Sequence, residues 1–133
     1  KFETREKSND ILDRMLKSLY HRGPDDEGRF SSEHYTAGMR RLSINDVQEG
    51  GQPLYNENRS VILFYNGEIY NSPALRKELA QKGVIFRTKS DGEVIVHLYE
   101  LYRESAFEKL DGMFAIALWD TRSETLTLAR DSP

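Results

Sequence analysis

The 133 residues carry a formal net charge of −3, about 38% apolar and 31% charged positions, and no cysteine. That mixture belongs to a soluble domain large enough to bury a core. It argues against a nucleic-acid surface, which needs clustered positive charge, and it excludes disulfide frameworks and thiolate metal sites.

The chain opens on Lys1-Phe2-Glu3-Thr4-Arg5-Glu6-Lys7, too polar for a secretory signal. From 8 to 20, Ile11, Leu12, Met15, Leu16 and Leu19 recur at helical spacing behind cap candidates Ser8, Asn9 and Asp10. The stretch His21 to Gly28 breaks that helix with two glycines, a proline and acids, and reads as a loop. Residues 34–46 read as extended, ending in a turn-rich stretch through Gly50-Gly51-Gln52-Pro53.

Val61-Ile62-Leu63-Phe64-Tyr65 is a strand closed by Asn66-Gly67, the strongest short hairpin signal. Ser72 as N-cap, with Pro73 at the first helical position, starts a helix with Leu75 and Leu79 on one face, and Gly83 stops it. Residues 84–88 read as a short strand. Ser90-Asp91-Gly92-Glu93 fits a capping box for a helix whose apolar face is Val94, Ile95, Leu98, Leu101 and Tyr102. Met113 to Trp119 is apolar throughout and is predicted as a strand covered on both faces; with a turn at 120–124 and Thr125 to Ala129 it makes a hairpin. This run is also too short to span a bilayer. About five strands in local hairpins, mixed with helices of one to three turns, indicate an α+β domain, and no repeat or linker divides it.

Several polar positions admit both a plain and a chemical reading. Asn66-Gly67 is a turn pair, yet a side-chain amide and a glycine N–H side by side at a strand end also form a donor pair for an oxyanion. Of Arg40 and Arg41, alternation solvates one and packs the other, and one guanidinium is suited to fork onto a carboxylate. Asp91 is an acid in a helix's first turn, stabilised by the dipole, or a carboxylate that accepts an ammonium group. Asp25, Asp26 and Glu27 read as solvated turn acids rather than a metal site, and His21, His34 and His97 show no ligand spacing.

The order of motifs carries more than any one of them. His21-Arg22-Gly23-Pro24-Asp25, Arg41-Leu42-Ser43-Ile44, Gln52-Pro53-Leu54, Asn66-Gly67-Glu68-Ile69-Tyr70-Asn71, Ser90-Asp91-Gly92-Glu93, Leu110-Asp111-Gly112-Met113-Phe114-Ala115 and Ala129-Arg130-Asp131 follow one another. This succession resembles the glutaminase domain of glutamine-hydrolysing asparagine synthetases, which are class II, N-terminal-nucleophile amidotransferases. From about residue 8 it covers nearly the whole chain.

The resemblance implies a four-layer αββα sandwich of two mainly antiparallel sheets with the helices outside. It implies that Asn66 and Gly67 form the oxyanion hole, Arg41 binds the α-carboxylate of glutamine, and Glu68 and Asp91 hold its α-ammonium group, so that all five line one cleft. The family's nucleophile is a cysteine at the mature N-terminus, whose α-amine serves as base. This sequence has none, so a nucleophile-bearing strand, on the order of five to ten residues, is expected upstream. Its loss is expected to leave either an open slot beside the 113–119 strand or another segment occupying it, and a polypeptide unable to hydrolyse glutamine alone.

The resemblance further implies a cytoplasmic ligase of asparagine biosynthesis. No cofactor is expected for this domain; ATP and magnesium, with aspartate as ammonia acceptor, belong to a C-terminal synthetase domain absent here. Glutamine is the partner of this domain, nucleic acid and membrane are not expected, and a homodimer is the candidate assembly. Two other readings stand beside it: the same domain in a sister amidotransferase with another acceptor, and a catalytically inert interaction module.

Overall fold

The computed structural model describes residues 4–42 and 51–132; the second half of the Arg41-Leu42-Ser43-Ile44 motif and the predicted extended stretch beyond 42 lie outside them. The chain divides into two units, Lys1–Pro53 and Leu54–Pro133. It is α+β, with one antiparallel sheet in each unit.

In the first unit, helix α1 spans Arg5–Ser18 and begins one turn earlier than predicted. The reason is Thr4, whose side chain accepts the Lys7 N–H as an N-cap and takes the role expected of Ser8 to Asp10. Leu12 and Leu16 are its buried residues. A 3-10 turn over Tyr20–Arg22 follows, and the chain then enters strand β1, Asp26–Ser31, which pairs antiparallel with β2, Thr36–Arg41. The predicted loop therefore ends sooner: Asp26, Glu27 and Gly28 are in a strand. What holds them is charge pairing across the ladder. Arg40 Nη1 donates to Glu27 Oε2 at 2.7 Å, and Arg29 bonds both Glu27 and Asp13.

The second unit is built on a four-stranded sheet in the order β3-β4-β5-β6: β3 is Leu54–Tyr55, β4 Val61–Ile69, β5 Gly112–Asp120 and β6 Thr125–Arg130. All neighbours are antiparallel. Strand β4 does not turn at Asn66-Gly67; it continues in register, Asn66 opposite Ala115 and Gly67 opposite Phe114. Strand β5 is paired on both edges, by β4 and β6, so the open slot expected as one outcome is absent.

Helices α2, Ser72–Gln81, and α3, Glu93–Tyr102, cover one face of this sheet. Val61, Leu63, Tyr65, Phe114, Ile116 and Leu118 meet Leu75, Leu79, Val94, Ile95 and Leu98 there. Burying a side chain of this size contributes about 1.5–3 kcal/mol, so this interface dominates the unit's stability. The second face of the 113–119 run is covered only in part: Trp119 is buried and Ala117 half-buried, but Met113 is 57% exposed and Ala115 is exposed. The small alanines at 115 and 117 leave little apolar surface to solvent, which is why an unbroken apolar run is tolerated.

Residues 84–88 form no strand. Val84 N donates to Leu79 O, and two further backbone donors go to buried Glu93, whose carboxylate accepts from Arg87 N and Thr88 N, each at 2.7 Å, and from Thr88 Oγ1 at 2.5 Å. Burial opposes the charge on Glu93, but these donors outweigh it and hold its carboxyl below its ordinary pKa. Glu93 is thus occupied outside its own helix, and α3 starts at an N-cap, Gly92, with no side-chain cap bond; the capping box does not form. The β5–β6 turn is fixed by buried Asp120, which accepts from Arg122 and Arg103, while Arg122 also reaches Glu100 on α3. No helix among the described residues is long and apolar enough to cross a membrane.

Candidate functional site

Arg41 ends β2 in the first unit. Its neighbour Arg40 is committed: Nε donates to the Gly23 carbonyl at 2.6 Å, Nη1 to Glu27, and the guanidinium lies 4.7 Å from the Tyr20 ring centre. The Arg41 side chain is more open, and among the described residues its guanidinium has one ion pair, a long one of 3.8 Å to Asp26. Alternation along β2 thus packs the first arginine and leaves the second with donors to spare. Gly23 supports this placement. A Cβ there would sit 2.5 Å from Arg40 C and Arg41 N, and Asp25 N donates to the Arg41 carbonyl at 3.1 Å. Only a glycine lets the 23–25 loop lie on the β2 backbone at that point.

Asn66, Gly67 and Glu68 occupy the last turnless stretch of β4, all three exposed. The direction of the Gly67 N–H follows from its neighbours. Tyr70 N donates to Asp111 O at 2.7 Å, toward β5, whereas Ile69 N donates to Asp91 Oδ2 at 2.6 Å, on the opposite edge. Backbone donors alternate along a strand, so Gly67 shares the Ile69 direction. On that edge strand β3 lies opposite Ile62 and Leu63 only, so among the described residues no strand pairs with the outer edge of β4 at Gly67. Its N–H therefore opens from a bare edge, beside an exposed side-chain amide.

Glycine is obligatory here for two reasons. Its φ is +149°, and a Cβ would stand 2.0 Å from the Met113 carbonyl oxygen.

Asp91 is not a plain first-turn acid. It precedes α3 and turns its carboxylate onto β4, where Oδ2 accepts from both Ile69 N and Tyr65 Oη, the latter at 2.9 Å. Tyr65 is buried, and burial first, then the adjacent carboxylate, pushes its phenol pKa up, so the hydroxyl stays a donor. The structure thus brings Asp91 alongside the strand that carries Asn66, Gly67 and Glu68. Tyr65 and Gly92 were not recognised from sequence; Gly92 matters because a Cβ on it would stand 2.4 Å from the Tyr65 ring. Tyr65 appears in the sequence only as the end of the Val61–Tyr65 strand run and Gly92 only as a member of the Ser90–Glu93 motif, and the contact between the two is long-range. Among the described residues no group of three or more His, Asp and Glu is placed to hold a metal ion.

Known proteins resemble this chain in both sequence and fold. Residues 1–132 match the family described as glutamine amidotransferase domain. The chain is 47% identical over 122 residues to glutamine-hydrolysing asparagine synthetase 1 of Bacillus subtilis (strain 168), a match covering 92% of this chain and 19% of that protein. It is 48% identical over 118 residues to glutamine-hydrolysing asparagine synthetase 3 of Arabidopsis thaliana, covering 89% of this chain and 20% of the relative. The chain thus spans about a fifth of the length of these relatives. Among solved structures, the glutamine phosphoribosylpyrophosphate amidotransferase of B. subtilis matches 71% of this chain and 22% of its own, with a TM-score of 0.57 and 27% identity. An allosteric regulatory enzyme of purine biosynthesis does so over 71% and 23%, with a TM-score of 0.60 and 27% identity.

Proposed function

The chain belongs to the glutamine amidotransferase domain family, and on that footing we propose that it is the glutamine-hydrolysing domain of an asparagine synthetase. The observation that carries the chemistry is the Gly67 N–H, presented on an unpaired strand edge beside the exposed Asn66 amide and the tethered Asp91 carboxylate. Two fixed donors at one point stabilise the oxyanion that forms when the amide carbon of glutamine is attacked. Arg41 takes the α-carboxylate, and Asp91 with Glu68 takes the α-ammonium group.

The attacking group is a cysteine thiolate at a processed N-terminus outside this sequence, with its α-amine carrying the proton. Sulfur bonds to the amide carbon, the C–N bond breaks, and the nitrogen leaves as ammonia with that proton. Water then cleaves the thioester to glutamate and restores the thiol. Without that residue the 133-residue polypeptide does not turn over glutamine. On this reading ATP and magnesium act on aspartate elsewhere in a longer protein, a cytoplasmic homodimer.

Identity of 47–48% to asparagine synthetases favours aspartate as acceptor over that of a sister amidotransferase. The test is made on the intact polypeptide supplied with aspartate and ATP-magnesium. Glutamine and ammonium salts should each support asparagine formation, with glutamate released one for one in the first case. Glutamate release without asparagine would indicate a sister enzyme. Asparagine from ammonium alone, with no glutamate released by a cysteine-bearing chain, would indicate an inert module.

A further inference from the structure

We infer that Tyr65 is a positioning residue of the glutamine site, its hydroxyl fixing the Asp91 carboxylate so that the other carboxylate oxygen meets the α-ammonium group. This rests on the proposed role of Asp91 and adds a residue to it.

The geometry is specific. Both donors, Tyr65 Oη at 2.9 Å and Ile69 N at 2.6 Å, fall on Oδ2. Among the described residues Oδ1 has no hydrogen bond, and the side chain is only partly buried. Two donors on one oxygen fix the plane of the carboxylate and leave its second oxygen for a cation. The Tyr65 ring is buried in the core that also holds Leu63 and Ile116, and it lies so close to Gly92 that a Cβ there would stand 2.4 Å from it. Residues 65, 91 and 92 therefore behave as one rigid holder.

The arrangement also departs from local preference. An aspartate just before the N-cap would ordinarily serve its own helix, yet α3 begins without a side-chain cap bond. Such departures concentrate at functional sites. The plain alternative is that the Tyr65–Asp91 bond merely ties a loop to a strand. It predicts lost stability with no selectivity for the charge of the ligand.

The two are separated by ligand discrimination in the intact polypeptide. L-Glutamate carries the α-ammonium group and glutarate lacks it, and neither is consumed. Dissociation constants for both are measured by calorimetry for the wild type, Tyr65→Phe and Asp91→Asn, with melting temperatures alongside. Tyr65→Phe keeps the buried ring and should weaken L-glutamate roughly five- to tenfold while leaving glutarate within about twofold, a share of the loss expected for a charge-assisted hydrogen bond. Asp91→Asn should nearly abolish the preference. Asp91→Glu, which carries the charge one methylene beyond the Tyr65 hydroxyl, should lose it as Tyr65→Phe does, and it stands in if that variant fails to fold. If Asp91→Asn narrows the preference and Tyr65→Phe or Asp91→Glu does not, the role of Tyr65 is overturned and that of Asp91 stands. Equal weakening of both ligands by Tyr65→Phe also overturns it, in favour of the loop tie. If Asp91→Asn leaves the preference intact, the assignment of Asp91 falls, and the inference with it.

Discussion

Replacing Gly67 by alanine tests the claim that β4 must carry glycine at the oxyanion position. Two costs combine there. The backbone sits at φ +149°, a region that side chains avoid, and the new Cβ would lie 2.0 Å from Met113 O and 2.7 Å from Phe114 Cα. Conformational strain of this kind costs about 1–3 kcal/mol. The clash adds about 1–3 kcal/mol, because its partners are backbone atoms of the paired strand and cannot rotate away. Gly83 supplies the control: its φ is +89° but nothing lies within 4 Å of its Cβ position, so Gly83→Ala feels strain alone. For a chain of this size 1 kcal/mol moves the melting temperature by about 3–5 °C. Gly83→Ala should therefore lower it by roughly 3–15 °C, and Gly67→Ala, with both costs, by roughly 6–30 °C, with glutamine turnover lost as the N–H is displaced. Thermal unfolding followed by far-UV circular dichroism reads both. A Gly67→Ala protein no less stable than Gly83→Ala would refute the close approach of β4 and β5 at this point.

Glu93→Gln should cost about 2–3 kcal/mol at pH 7, since the new amide NH2 faces the donors of Arg87, Thr88 and His97. The folded pKa of Glu93 is depressed below 4.5, so its stabilising share is complete above that pH and is lost as the pH falls through the lower folded value. Denaturation of the two proteins should converge in acid, and a gap constant from pH 7 to 3 would contradict the assignment. Asn66→Ala should lower glutamine turnover in the intact protein by roughly a hundred- to a thousandfold with a smaller change in KM, because that donor matters most as charge develops. Arg41→Ala should instead act chiefly on KM for glutamine, through loss of a charge-assisted fork. Ammonia-dependent synthesis should survive both, and steady-state assays with each nitrogen source check this.

The elements most legible in the sequence are those whose cause is local. Ser72-Pro73 and Gly83 bracket α2, although the N-cap is Asn71 rather than Ser72, with Ser72 and Pro73 both inside the first turn. Val61 to Tyr65 and the 113–129 hairpin follow from apolar runs separated by turn residues. What was not legible is held by side chains outside the segment itself. Strand β1 has no apolar alternation, because its register comes from charge pairs with β2 and α1. The 84–88 segment has the composition of a strand. A carboxylate on the next helix takes two of the donors that a neighbouring strand would have taken.

The Asn66-Gly67 pair shows how site and fold are bound together. As a local signal it means a turn, yet β4 runs through it for two further residues to Ile69. Glycine inside a strand costs about 0.5–1 kcal/mol relative to alanine, so something other than propensity keeps it there. The opposing strand has glycine near the same place: a Cβ on Gly112 would stand 2.1 Å from Glu68 O. The two glycines let β4 and β5 close tightly just where the β4 outer edge has lost its neighbour strand, and that edge is where the Gly67 N–H emerges. A turn at Asn66-Gly67 would carry the chain away from Asp91 and break the Ile69 bond that holds its carboxylate. The strand must therefore override the turn signal for the donor pair and the carboxylate to lie on one frame.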